Sequence, residues 1–292
     1  MIQEFVASWP LFHNTYLVGW LIGLLLALVG VLVVARDQIF IGAAVSQAST
    51  LGIALALGLG SWTATEALEW LHAWLHADAF LAAMAVVFSV LAALLTARGE
   101  AAAQESHEAV TGWVFLLSAS GAILIVSHSP HGLDEIHRLL SSSIIGATQR
   151  DVWTFGAVVI LTALALAASH RRVLLFALDP AMGAAVGMRL KPWALVTSAW
   201  LGLAVGLSIR SAGMLYTFGC LVLPALVAKN VCREVRPMFV VAPVIAVGVA
   251  TVGFVLANHY DDPPAQMTVA LLCLLLAFTW LVRRVRRNWH RA

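Results

Sequence analysis

Between residues 63 and 80 the chain reads TATEALEWLHAWLHADAF. Glu69, His72 and His76 fall at i, i+3 and i+7 of a helical pattern, with Glu66 one turn earlier, so they share a face. A carboxylate with two imidazoles is a set that suits zinc or manganese. The same stretch also carries Trp62, Trp70 and Trp74 beside Leu68, Leu71 and Leu75. That is the pattern of an amphipathic helix anchored at the headgroup level, and it is the simpler reading. A metal held there would be captured or docked rather than carried through a pore.

Other chemistry-bearing residues are less organised. His128, His131, Asp134, Glu135 and His137 have metal-compatible spacing but no visible scaffold, so they read as a solvated, partner-contacting loop. Asp261 and Asp262 precede Pro263-Pro264 and read as capping residues at the last apolar segment. Glu108 starts the fourth apolar segment, facing either a cavity or, with His107, the interface. Cys220, Cys232 and Cys273 show no C-x-x-C spacing, so neither a zinc knuckle nor a disulfide framework is indicated. No Walker A pattern occurs, so ATP hydrolysis by the P-loop route is excluded for this chain.

The elements that must position these residues follow from composition. The 292 residues are 61% hydrophobic and only 11% charged, with a mean hydropathy of +0.92. A soluble fold of this size has too little interior for that apolar surface and too few charges to coat its outside. A soluble enzyme and a disordered chain are both excluded. Apolar stretches near the length of a bilayer crossing recur instead, at 14–35, 39–60, 80–97, 110–127, 152–169, 193–209, 212–230, 237–257 and 266–283. The seventh contains Gly213, Gly219 and Pro224 and is expected to be kinked or broken, giving eight or nine spans. The first has no basic residues before it, so it reads as a retained span rather than a cleaved leader.

Charge placement orients the bundle. With the N-terminus outside, 14 of 17 basic residues fall on the inner side; only Arg138, Arg150 and Arg210 fall outside. That asymmetry predicts an all-α polytopic bundle, N-out and C-in, with an odd number of spans. The tail RRVRRNWHRA reads as a topology determinant and anionic-lipid anchor, not as a nucleic-acid patch. The whole of 1–292 reads as one transmembrane domain.

The inner stretch 170–193, HRRVLLFALDPAMGAAVGMRLKPW, is the most informative. Asp179 can cap a helix and Pro180 fits its first turn. Small residues follow, Ala184 among them, and Gly187 is a plausible stop. This predicts a short helix at about 179–188, open to close approach by another protein.

Here the sequence resembles permeases of metal-ion (zinc, manganese, iron) ABC importers. The likeness extends, in order, over GVLVVARDQIFIGAAVSQASTLGIALA (30–56), HGLDEIHRLLSSSIIGATQRDV (131–152), RSAGMLYTFGCLVLPALVAKN (210–230) and DDPPAQMTVALL (261–272). It implies a pair of permeases, homo- or heteromeric, in the bacterial inner membrane. It also implies separate ATPase subunits that bind ATP, and a periplasmic or lipid-anchored solute-binding protein. The chain itself would bind no cofactor and would pass a divalent metal. Asp179, Pro180, Ala184 and Gly187 become the segment that couples to the ATPase. Ser46 and Gln47 fall in the translocation path.

One departure matters. The family's second helix usually carries Asp and His one turn apart. Here Ala43 and Gln47 stand in those positions. Alanine binds no metal, and an amide oxygen is a weak, hard donor. Three explanations follow: a partner permease that keeps the ligands, other ligands in this chain, or a cargo other than a bare divalent ion, such as a metal chelate or another small solute. A stand-alone ion-coupled carrier is disfavoured, because the fifteen acids lie mostly in loops.

Overall fold

A computed structural model describes residues 2–62, 78–102, 106–127 and 144–289. The described residues are almost entirely helical. In chain order the α-helices are α1 (Ile2–Ala35), α2 (Ile39–Trp62), α3 (Asp78–Ala102), α4 (His107–Val126), α5 (Gln149–Leu178), α6 (Pro180–Ala185), α7 (Leu190–Val231), α8 (Val235–Tyr260) and α9 (Pro264–Trp289). Eight of them are long and apolar enough to cross a membrane; α6 is not. Helices are the only open-ended way to satisfy every backbone group in hydrocarbon.

Two apolar segments separate in sequence, 193–209 and 212–230, are joined in α7. The run is continuous except at Gly213, whose φ of 78° and ψ of 167° break it. That region of backbone space is open essentially to glycine alone. Pro224 stays inside the helical run, so the break has one residue rather than three.

The chain divides into two compact units: residues 1–38, 143–183 and 215–292 in the first, and residues 39–142 and 184–214 in the second. In the first unit, α1 is a ruler against which the others can be read. Near its start Glu4 pairs with His259 Nδ1 at 2.8 Å. At Gly19 the carbonyl accepts from Tyr216 Oη at 2.9 Å, and a side chain there would meet Phe254 and Ile144. At Gly30 the backbone of Leu221 approaches so closely that only a glycine fits. Beyond its end, Arg36 lies 4.6 Å over the Phe176 ring and Asp37 pairs with Lys229 at 2.6 Å. The order of these contacts makes α5 and the second half of α7 parallel to α1, and α8 antiparallel. Helix α9 also runs with the second half of α7, from Gly219 against Val269 to Asn230 Nδ2 with Thr279 Oγ1 at 3.5 Å.

In the second unit α2 packs on α3 and α4. Helices α2 and α4 run in parallel, with Phe40 at 5.4 Å from Phe115 near one end and Ala54, Ala122 and Val126 clustered towards the other. The first half of α7 runs against α3. Gly202 sits on Ser89 and Val90, and Gly206 on Ala85 and Val86. This small-x-x-x-small spacing brings two backbones close where lipid supplies no hydrophobic drive to pack helices. Ser89 Oγ takes advantage of the approach and donates to the Gly202 carbonyl at 2.7 Å. Among the described residues the buried polar side chains are serines and threonines, apart from the hydroxyls of Tyr16 and Tyr216 and the Cys220 thiol. Serine and threonine hydroxyls fold back on a helix carbonyl at low cost, as Thr96, Thr162 and Ser208 do.

Candidate translocation and docking site

Ser46 and Gln47 lie in the middle of α2, in the small-residue run Gly42 to Ser49. The run buries nearly every residue it has; only Gln47 is partly open. Small side chains allow this depth of packing, as bulky ones in the same place would hold neighbours off. Ser46 Oγ and Ser49 Oγ are buried and make no hydrogen bond. Gln47 does find a partner: its Nε2 donates to the Met214 thioether at 3.4 Å. Met214 is the residue after the break at Gly213, so the amide touches the chain where α7 changes course. Ala43, one turn before Gln47, is buried and offers no donor atom.

This site is uncharged. An amide that donates to sulfur keeps its Oε1 as an acceptor, and the sulfur is a soft, weak acceptor. Such a pair does not make the strong coordination that a carboxylate and an imidazole give a metal ion. Among the described residues there is no group of three or more His, Cys, Asp or Glu placed to hold a metal ion. Glu69, His72 and His76 lie outside the described residues, as do His128, His131, Asp134, Glu135 and His137.

The expected short helix is present as α6. Asp179 ends α5 and starts α6 at once: its backbone N–H donates to the Leu175 carbonyl, and its Oδ1 accepts from Met182 N at 2.8 Å. That is an N-cap made by a carboxylate. Pro180 occupies the first helical position, where its missing N–H costs nothing. Gly187 N donates to the Ala184 carbonyl at 3.0 Å, and its φ of +84° closes the turn. Ala181, Met182, Ala184, Ala185 and Val186 are all exposed. Met182 at 56% exposure is an apolar side chain held out on this capped, short helix, and Val186 at 70% follows directly after it.

Two other residues are now placed. Asp261 caps the end of α8 in a left-handed turn with φ of 60°. Asp262 N also returns to the Ala257 carbonyl, at 3.0 Å, so the pair ends α8, and α9 starts afresh at Pro264. Glu108 is an exposed first-turn acid of α4, behind the Ser106 cap, where it complements the helix dipole. It faces no cavity. Sequence reasoning did not find the Gln47–Met214 contact, which joins residues 167 apart. The only signal for it was a methionine directly following a glycine in a segment already suspected of breaking.

Comparison with known proteins agrees with this architecture. The model of the ABC 3 transport family matches residues 8–283. The manganese import system permease protein ScaB of Streptococcus gordonii is 21% identical over 294 residues, covering 100% of this chain and 99% of that protein. The chelated iron transport system membrane protein YfeD of Yersinia pestis is 21% identical over 284 residues, covering 96% and 88%. The structure of PsaBC from Streptococcus pneumoniae in complex with Fab superposes with a TM-score of 0.77 at 18% identity, over 96% of this chain and 95% of that one.

Proposed function

We propose, from the premise that the chain belongs to the ABC 3 transport family, that it is the membrane-spanning permease subunit of an ATP-driven importer of divalent transition metals. The observation that carries this reading is the family match across residues 8–283, nearly the whole bundle. Manganese and iron are the favoured cargoes, since relatives that match most of the chain are described as manganese and chelated-iron permeases. The chain supplies path and docking surfaces and makes or breaks no bond. ATP is hydrolysed on a separate subunit, which seats on α6 through Met182 and Val186, framed by the Asp179 cap and the Gly187 turn. A solute-binding protein delivers cargo at the opposite face, and a second permease completes the path.

The second half of α7 belongs to the first unit and its first half to the second, so the two halves are read as separate crossings. That first half runs from Leu190 to the break at Gly213. At 1.5 Å per residue it spans about 34 Å, enough for a bilayer. Counting both halves makes nine crossings out of eight long helices, and an odd number has the termini on opposite sides. The distribution of basic residues then favours a C-terminus on the inner side.

A second reading is favoured by one specific observation. The uncharged Ala43 and Gln47 suit a ligand-poor member of a heteromeric permease pair, or a permease for a metal chelate. Metal uptake by a deletion strain, profiled across manganese, iron and zinc, decides among these. Loss of manganese or iron uptake supports the leading reading. Loss of chelate uptake alone supports the second, and unchanged uptake of all three metals and of chelates contradicts both.

A further inference from the structure

The first unit contains a groove that transport and docking leave unused. It encloses about 330 Å³ and is lined by Leu28 of α1, by Ala163, Ala167 and His170 of α5, and by Arg236 and Phe239 of α8. Helix α5 makes most of it, and this helix is poorly covered by its own chain: of its 30 residues only Phe155, Val159, Thr162, Val173, Phe176 and Ala177 are buried. From Ala163 to Leu174 the groove follows α5 for about three turns, roughly 16 Å at 1.5 Å per residue. Ala163 and Ala167 leave room in a wall that Leu166, Val173 and Leu174 complete.

The groove is apolar along its length, and His170 and Arg236 stand in its wall toward the end that leads to Phe176, the ring under Arg36. Arg171 and Arg172 continue the basic surface on α5 and line a second, adjoining cavity. Arg233 lies just ahead of α8, and the first turn of α8, starting at Val235, adds the positive end of a helix dipole. Three acids are near. Asp37 is taken up by Lys229, Asp179 accepts from Met182 N, and Glu234, the residue before α8, is exposed and makes no side-chain cap. The balance at this end is strongly positive.

We propose that this groove binds an acidic phospholipid. One acyl chain lies along Ala163 and Ala167 against Leu28 and Phe239, and the phosphate sits between His170 and Arg236. Hydrocarbon is what fills an apolar groove in a membrane-facing surface, and the basic end selects an anionic headgroup over a zwitterionic one. A second copy of the chain is a poorer occupant, because it would bring its own Arg171, Arg172 and Arg236 to the same place. The site is independent of cargo and of the direction of transport.

The test uses the purified full-length chain in neutral detergent, with thermal unfolding followed as lipid is added. Phosphatidylglycerol should raise the Tm by roughly 5 °C, as a ligand bound only by the folded state does. Phosphatidylcholine and inorganic phosphate should leave it unchanged. Arg236→Gln and Ala167→Trp should each abolish most of the shift, and Arg236→Lys should retain it. Native mass spectrometry of the unaltered chain gives a readout that needs no variant: a retained phosphatidylglycerol adduct after exchange into phosphatidylcholine supports the site. Equal shifts by the two lipids, a full shift in Ala167→Trp, a shift with phosphate alone, or no retained adduct would each overturn the proposal. So would a dimer of the unaltered chain that Ala167→Trp dissociates, since the groove would then belong to a second copy.

Discussion

Gln47 puts an amide, hydrogen-bonded to the Met214 thioether, where the family resemblance implies a histidine. Their bond is a weak one, so removing it should be felt in transport more than in folding. Gln47→Ala is expected to cost at most about 1 kcal/mol of stability, while lowering metal uptake severalfold in cells. Retention of full uptake by Gln47→Ala would remove Gln47 from the path. Gly187 tests docking in the same spirit. Its φ of +84° is left-handed, yet a Cβ there would meet nothing within 4 Å. Gly187→Ala should therefore strain only the turn, by about 1–2 kcal/mol. The chain should insert normally and co-purify with less ATPase, as quantified by pull-down from solubilised membranes. Asp179→Ala removes the Met182 cap and should act in the same direction, at about 1 kcal/mol of helix stability. Undiminished ATPase recovery in both variants would sink the role of α6.

At the scale of elements, most of the bundle was legible because bilayer thickness imposes a length on apolar runs. Eight long helices fall on the nine apolar segments, with 193–209 and 212–230 merged in α7. Helix α6 was legible for another reason: Asp179, Pro180 and Gly187 are local signals, and each acts within one turn of itself. The contacts that hold the elements together were not legible. Ser89 with Gly202 and Asp37 with Lys229 join residues 113 and 192 apart, and nothing in either neighbourhood marks its partner. The extent of α5 was also underestimated, because residues 170–172 are polar enough to look like loop although the helix carries them past the apolar layer. Gly213 is the element-scale test. Gly213→Ala places a Cβ in backbone space that costs about 1–3 kcal/mol. The expected result is a marked drop in thermal stability and a loss of transport, whereas Gly248→Ala, in open space on α8, should be silent in both measurements.

For the molecule as a whole, among the described residues no Asp, Glu, Lys or Arg is buried. Buried acids are what a self-sufficient carrier uses to couple to ions. The proposed N-out, C-in topology is tested by labelling with an impermeant maleimide. A single cysteine at position 3 should react in intact cells with a permeable outer membrane, and one at position 288 only after lysis, each in a background without Cys220, Cys232 and Cys273. The most direct measurement of the central claim is metal uptake into proteoliposomes holding this chain with its partner permease, ATPase and binding protein. The account predicts ATP-dependent manganese or iron accumulation by the assembled system and none by this chain alone. Accumulation by the chain alone, without ATPase or ATP, would contradict it.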